Sequence, residues 1–224
     1  MARVLVIGDF HAPAGHKDYV KFLKKVEKKY KCNRVVCIGD LADFNAISFH
    51  EKDPSMPNPV QEFQEAKRQI AKMHKAFPKV DHMIGNHDCL PARKARTVGL
   101  PDDVLIPFKD LWGLDGWTIH PRYADLIIDD VIYRHGDKGK GGQMAAYKNA
   151  QVEFRSVVQG HLHAQCGVVY HANQEDCVFG MQVGCGVSHD HPAMNYGRIY
   201  ALKPILSAGV VLDGKTAIIE RMFL

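Results

Sequence analysis

Between residues 3 and 85 the chain alternates three short apolar runs with two amphipathic stretches, and every apolar run stops at a glycine. Arg3–Ile7 ends at Gly8, Arg34–Ile38 at Gly39 and Val80–Ile84 at Gly85. Short runs of this kind, the first two rich in β-branched residues, read as buried strands. Between them, His16–Lys31 places Tyr19, Val20, Phe22, Leu23, Val26 and Tyr30 near helical spacing. Pro59–Phe77 does the same with Val60, Phe63, Ala66, Ile70, Met73, Ala76 and Phe77. Such stripes give each helix one apolar face. Strand, helix, strand, helix, strand with short connections predicts a parallel sheet in an α/β fold.

Beyond Trp117 the texture changes. Strand-like runs occupy Thr118–His120, Asp125–Ile128, Val131–Arg134, Ser156–Gln159, Gly167–Tyr170, Val178–Gln182, Arg198–Leu202, Ser207–Leu212 and Thr216–Arg221, with one short helix near Gln143–Ala150. Leu212-Asp213-Gly214-Lys215 has the chemistry of a hairpin turn. This half reads as sheet built from antiparallel hairpins. Two mixed sheets packed face to face, with helices outside, make a four-layer α-β-β-α sandwich that uses all these elements.

The 224 residues, 46% of them hydrophobic, suffice for one sizeable core, so a single domain over 1–224 is expected. No run approaches the roughly 18 apolar residues of a membrane span, and the N-terminal apolar run is too short for a signal peptide. A cytoplasmic protein with no membrane partner is expected, and no feature marks a protein partner. The six cysteines show no CxxC pairing and are expected to be reduced. A net charge of +4 permits an anionic substrate without demanding nucleic acid. The lysines from Lys24 to Lys31 read as the solvated face of a helix.

Polar residues collect at the strand ends. The runs finish Gly8-Asp9-Phe10-His11, Gly39-Asp40-Leu41-Ala42-Asp43, Gly85-Asn86-His87-Asp88, His135-Gly136-Asp137 and Gly160-His161-Leu162-His163. In open α/β sheets, sites form beyond the carboxyl ends of the strands, so these residues are expected to converge. Asp9 and His11 are two apart, as are His161 and His163. On extended chain each pair points one way and can bind one ion. Carboxylates, an amide and imidazoles without thiolates suit divalent transition metals rather than a structural zinc. A set of two carboxylates, one amide oxygen and four imidazoles exceeds what one ion needs. Two ions sharing a bridging carboxylate would use them all, an arrangement suited to phosphoryl chemistry.

These five motifs, in this order, resemble the calcineurin-like metallophosphoesterase superfamily, whose pattern is D-x-H, G-D-x-x-D, G-N-H-D/E, H-G and G-H-x-H. The resemblance covers residues 8–163, and the remaining chain fits the family's second sheet. It implies that Asp9, His11 and His163 hold one metal, that Asn86, His135 and His161 hold the other, and that Asp40 bridges them. His87 would face substrate as acid or phosphate contact, oriented by Asp43, which favours its protonated form. Asp88 would close the turn. The implied cofactors are two divalent ions, manganese favoured, with Fe, Zn, Ni, Co or Mg accepted by the same ligands. The implied reaction is hydrolysis by hydroxide drawn from a metal-acidified water, with His87 protonating the departing oxygen.

Substrate is less constrained. Serine/threonine phosphatases of this superfamily, and their dinucleotide-hydrolase relatives, carry Arg-Gly after the last Asp of the second motif. Here Phe44-Asn45 follows Asp43, which removes a phosphate-clamping guanidinium. The chain looks more like small phosphodiesterases and nuclease-like members acting on a nucleotide or nucleic-acid ester. A phosphomonoesterase and a non-catalytic scaffold of the same fold are the alternatives. Arg93, Lys94, Arg96 and the His189-Asp190-His191 loop are candidate substrate contacts, with a solvated helix face as the plain reading of the basic trio. His50-Glu51 could line the pocket. His16, His74, His82 and His120 read as structural or exposed.

Overall fold

The computed structural model describes residues 1–49, 57–191 and 202–223. The first half forms β1 (Arg3–Ile7), α1 (Tyr19–Tyr30), β2 (Arg34–Cys37), α2 (Pro59–Ala76) and β3 (Asp81–Met83), followed by α3 (Leu90–Thr97), α4 (Phe108–Trp112) and β4 (Thr118–His120). The second half forms β5 (Leu126–Ile128), β6 (Val131–Arg134), α5 (Ala145–Glu153), β7 (Ser156–Gln159), β8 (Gly167–Ala172), β9 (Cys177–Gln182), β10 (Ser207–Leu212) and β11 (Thr216–Arg221). The strand expected at Arg198–Leu202 lies outside the described residues except for Leu202, and the His50-Glu51 expectation lies wholly outside them.

Two mixed sheets result. One has six strands in the order β11-β10-β1-β2-β3-β4, the other five in the order β5-β6-β7-β9-β8. β1, β2, β3 and β4 run parallel, so their carboxyl ends share one edge. β6, β7 and β9 are parallel in the second sheet. The second half holds the expected antiparallel pairs beside this parallel trio, and of the described chain after residue 163 only β8 and β9 join the second sheet, while β10 and β11 pair onto β1 in the first. β4 joins the first sheet, and the antiparallel pairs are confined to β5–β6, β8–β9 and the β1–β10–β11 meander. The turn between β10 and β11 is as expected: Asp213 and Gly214 both have positive φ, and Lys215 N–H donates to the Leu212 carbonyl at 3.0 Å.

Strand alternation assigns the layers. Val4, Val6, Val36 and Ile38 face Val131, Tyr133, Val158, Phe179 and Met181 in the core between the sheets. Leu5, Ile7, Val35 and Cys37 face the other way, onto Leu23 and Val26 of α1 and Ala66, Ile70 and Met73 of α2. Ala150 of α5 covers Ile132 and Val157 on the outer face of the second sheet. This is the four-layer α-β-β-α sandwich. Each large apolar side chain buried in it contributes about 1.5–3 kcal/mol relative to exposure. α2 starts where Asn58 caps it: its side chain accepts from Val60 and Gln61 N–H, Gln61 returns the bond, and Pro59 opens the first turn. No helix among the described residues is long and apolar enough to cross a membrane.

Candidate metal centre

The site lies where the carboxyl edges of the two sheets meet. Asp9 follows β1, Asp40 follows β2, Asn86 follows β3, His135 follows β6 and His161 follows β7. Backbone bonds stitch this rim together: Gly186 N–H donates to the Asp9 carbonyl at 2.7 Å and Gly160 N–H to the His135 carbonyl at 2.8 Å.

The residues do not converge through extended chain. His11, Asp40 and His161 all adopt left-handed backbone, with φ of 50°, 48° and 68°. Each such non-glycine position costs on the order of 1–3 kcal/mol and persists only where the surroundings enforce it. The consequence is specific. His163 Nε2 lies 3.1 Å from both Asp9 Oδ2 and His11 Nε2, while His161 groups with Asp40 and His135. Asp9 and His11 thus fall in one cluster with His163, and His161 falls in another. The left-handed backbone at His161 breaks the alternation that would point His161 and His163 the same way, and the two rings fall in different clusters, the division that the resemblance implies.

Three overlapping clusters result: Asp9, His11 and His163; His11, Asp40 and His87; Asp40, His135 and His161. Asp40 Oδ2 lies 3.6 Å from His11 Nε2 and 3.3 Å from His135 Nε2, so it stands between the outer two. Asn86 Oδ1 lies 2.9 Å from His135 Nε2. The rings are fixed from behind. His135 Nδ1–H donates to the Ile38 carbonyl at 2.9 Å, which leaves Nε2 facing the site. His11 Nδ1 lies 2.7 Å from Asp43 Oδ1, with the same effect. Metal-binding imidazoles are oriented in this way.

The glycines beside these residues make room. A Cβ on Gly85 would overlap Asp40 Oδ1, and one on Gly160 would overlap Asp9 Oδ1. Asp88 sits behind the third motif. Its Oδ1 accepts from Ala42 N–H at 3.0 Å, and its Oδ2 accepts from Gly85 N–H and faces His82 Nε2, both at 3.1 Å. It closes the turn and also ties it to the loop that carries Asp43.

Burial disfavours ionising Asp40, but His135, His11 and His87 outweigh it and hold its carboxyl well below the usual range. Asp43 is likewise held low against burial by hydrogen bonds from His11 and His87. His87 is opposed by burial and supported by Asp43 and Asp40, which raise it to about 9. Its Nδ1–H points at the Asp43 carbonyl at 2.8 Å and the carboxylate at 3.1 Å, so its Nε2 is the free end.

The donor set fits divalent cations. Asp9 Oδ1 is buried with no hydrogen-bond partner, in a nest of imidazoles. An unpaired buried carboxylate oxygen is costly, and a cation removes that cost. Carboxylate, amide oxygen and imidazole without thiolate is the donor chemistry such ions take.

The sequence profile of the calcineurin-like phosphoesterases matches residues 2–165. The chain belongs to this family. The chain has no match among curated proteins. Among solved structures it is similar to Yfce, a phosphoesterase from E. coli, at 13% identity and TM-score 0.45, over 94% of this chain and 88% of that one. It is also similar to Vps29 from Chaetomium thermophilum, at 11% identity and TM-score 0.46 over 99% and 97%. A third is the nuclease MPE from Pseudomonas putida, at 12% identity and TM-score 0.39 over 94% and 84%.

The other candidate contacts engage different partners. Arg96 pairs with Asp102, its Nε 3.1 Å from Oδ1, so its charge is engaged away from the rim. His189 Nε2 lies 2.7 Å from the Pro204 carbonyl. Its neighbour His191 is the one that senses Asp43, which partly offsets the lowering of its pKa by burial. Arg93 and Lys94 lie against Phe49. Phe44 packs on Trp112 with ring centroids 5.5 Å apart, so an aromatic contact occupies the position after Asp43. Arg122 was not singled out in the sequence. Its Nη1 donates to Cys89 Sγ at 3.3 Å, a contact across 33 positions that no local pattern announces.

Proposed function

We propose that the phosphoesterase is a dinuclear-metal-dependent phosphodiesterase acting on a nucleotide or nucleic-acid ester. Asp9, His11 and His163 would hold one ion, and Asn86, His135 and His161 the other, with Asp40 shared. The observation that carries this reading is the position of Asp40 Oδ2, facing His11 Nε2 on one side and His135 Nε2 on the other. When bound, two divalent ions supply charge neutralisation at phosphate oxygens and a water acidic enough to attack near neutral pH.

The chain's own residues do the rest. His87 is anchored at Nδ1 by Asp43, which leaves Nε2–H to donate to the departing oxygen. Asp40 Oδ1 accepts the His87 N–H at 2.7 Å, so the same carboxylate fixes the backbone of the candidate acid. Phe44-Asn45 in place of the Arg-Gly of the serine/threonine phosphatases argues against a phosphoprotein substrate, and the small diesterases are the members the chain looks more like. The test compares bis-p-nitrophenyl phosphate with p-nitrophenyl phosphate in added Mn²⁺. Preferential hydrolysis of the diester is expected, and a preference for the monoester would overturn the substrate class.

A further inference from the structure

Two exposed aromatic rings, each with a cation against it, are linked to the turn that presents Asn86 and His87. Phe49, 54% exposed, has Lys94 Nζ 3.6 Å and the Arg93 guanidinium 4.9 Å from its ring centroid. Tyr123, 50% exposed, has the Arg122 guanidinium 4.5 Å from its centroid. Cys89 joins the two groups. Its carbonyl accepts Arg93 N–H at 2.9 Å, its sulfur accepts from Arg122, and its own thiol donates to the Asn86 carbonyl at 3.3 Å.

Their elements start next to the candidate site residues. The short helical turn Asn45–Ile47, which leads to Phe49, begins two residues after Asp43, and α3 begins three residues after His87. At a rise of about 1.5 Å per residue, Arg93 is only about 5 Å along α3 from its first residue. Arg122 is held by Asp137 at 2.7 Å, two residues past His135. Among the described residues Arg93 and Lys94 form no ion pair, so their charge is not cancelled by a protein carboxylate there.

We propose that Phe49, Arg93, Lys94, Arg122 and Tyr123 form a track for single-stranded nucleic acid across the rim of the metal centre. The inference rests on the phosphodiesterase reading and narrows its substrate to a polynucleotide strand. Unpaired bases stack on exposed aromatic rings, worth about 1–3 kcal/mol per base, while cations follow the phosphates. A duplex keeps its base faces covered and would leave both rings unused. A mononucleotide would engage one ring–cation group, whereas the surface offers two, joined through Cys89.

The test is fluorescence anisotropy of a labelled single strand of about twelve nucleotides, within the usual site size. A phosphorothioate backbone slows cleavage, and Mn²⁺ is present. R93A/K94A is expected to weaken binding about tenfold or more and to reduce the log–log salt slope by about 1.4, the loss expected for two phosphate contacts. F49A is expected to weaken it about fivefold or more. Matched melting curves confirm that the variants fold. Unchanged binding by R93A/K94A overturns the inference. So does an equal loss in K25A/K28A on the remote α1, or competition by polyglutamate as strong as by unlabelled strand. Wild-type turnover of bis-p-nitrophenyl phosphate is measured alongside. Turnover without Arg93/Lys94-dependent binding overturns the track alone. Arg93/Lys94-dependent binding without turnover of any diester supports the track and overturns the enzymatic reading.

Discussion

Asp43 Oδ1 lies 2.7 Å from His11 Nδ1, and the same oxygen lies 3.1 Å from His87 Nδ1. One carboxylate therefore fixes a candidate metal ligand and the candidate acid together. From sequence, Asp43 is expected to orient His87; its hold on His11 gives it a second consequence. In Asp43→Asn the amide can present its NH₂ to His11 and favour the tautomer whose Nε2 carries the proton. Metal affinity is expected to fall about 10–100-fold, the usual effect of removing such a partner, and turnover should fall with it. Calorimetric Mn²⁺ titration checks this. Unaltered affinity would mean that His11 is oriented by something else.

His87→Ala separates the two roles. His87 Nε2 is the free end of its ring, and a methyl group there removes the proton donor without touching Asp9, His163, His135 or His161. Metal content is expected to stay near that of the unsubstituted chain while turnover falls about 10²–10⁴-fold, the usual contribution of general acid catalysis. Metal analysis beside steady-state kinetics reads both. Loss of metal with normal turnover per bound ion would assign His87 to the ligand set instead.

The sequence shows the site more plainly than the way the backbone builds it. Strands β1, β2, β6 and β7 are short, rich in β-branched residues and bounded by glycine or polar residues, so their positions and their terminal Asp and His are legible. The left-handed backbone of His11, Asp40 and His161 has no marker, since such residues usually occupy ordinary conformations and only tertiary packing enforces this one. Thr118–His120 is legible as a strand, but its parallel pairing with β3 is set by a partner 35 or more residues away. α4 spans five residues, too few to show a helical period. The contact of Arg122 with Cys89 is equally non-local.

The space beside the glycines gives a steric prediction. In Gly85→Ala the new methyl overlaps Asp40 Oδ1, and the Asp40 backbone nitrogen is only 2.6 Å away. Asp40 must move, and with it the contact point between the two metal positions. Overpacking of this kind costs about 1–3 kcal/mol, and loss of Mn²⁺ binding should accompany it. Gly141→Ala is the control, because nothing lies within 4 Å of its would-be methyl; it should change stability by no more than about 0.5 kcal/mol. Thermal melts and metal titration of both variants check this. Full metal binding by Gly85→Ala would show that Asp40 has another place to sit.

The last prediction concerns the pair behind the site. His82 is fully buried, stacked on Phe108 at a 6° interplanar angle, with Nε2 3.1 Å from Asp88 Oδ2. Burial alone would suppress its charge, but the Cys37 sulfur and the Asp88 carboxylate outweigh it and raise its pKa to about 10. An unfolded histidine titrates near 6.5. The folded chain therefore holds a proton that the unfolded chain releases above that pH. The stabilisation is complete below about 6.5 and is lost as pH rises toward about 10. His82→Gln removes this titration, so its deficit relative to the unsubstituted chain should shrink between about pH 7 and about pH 10. Urea denaturation of both chains at the two pH values gives the comparison. A deficit that stays constant would mean that His82 is neutral in the fold and that Asp88 is held by hydrogen bonding alone.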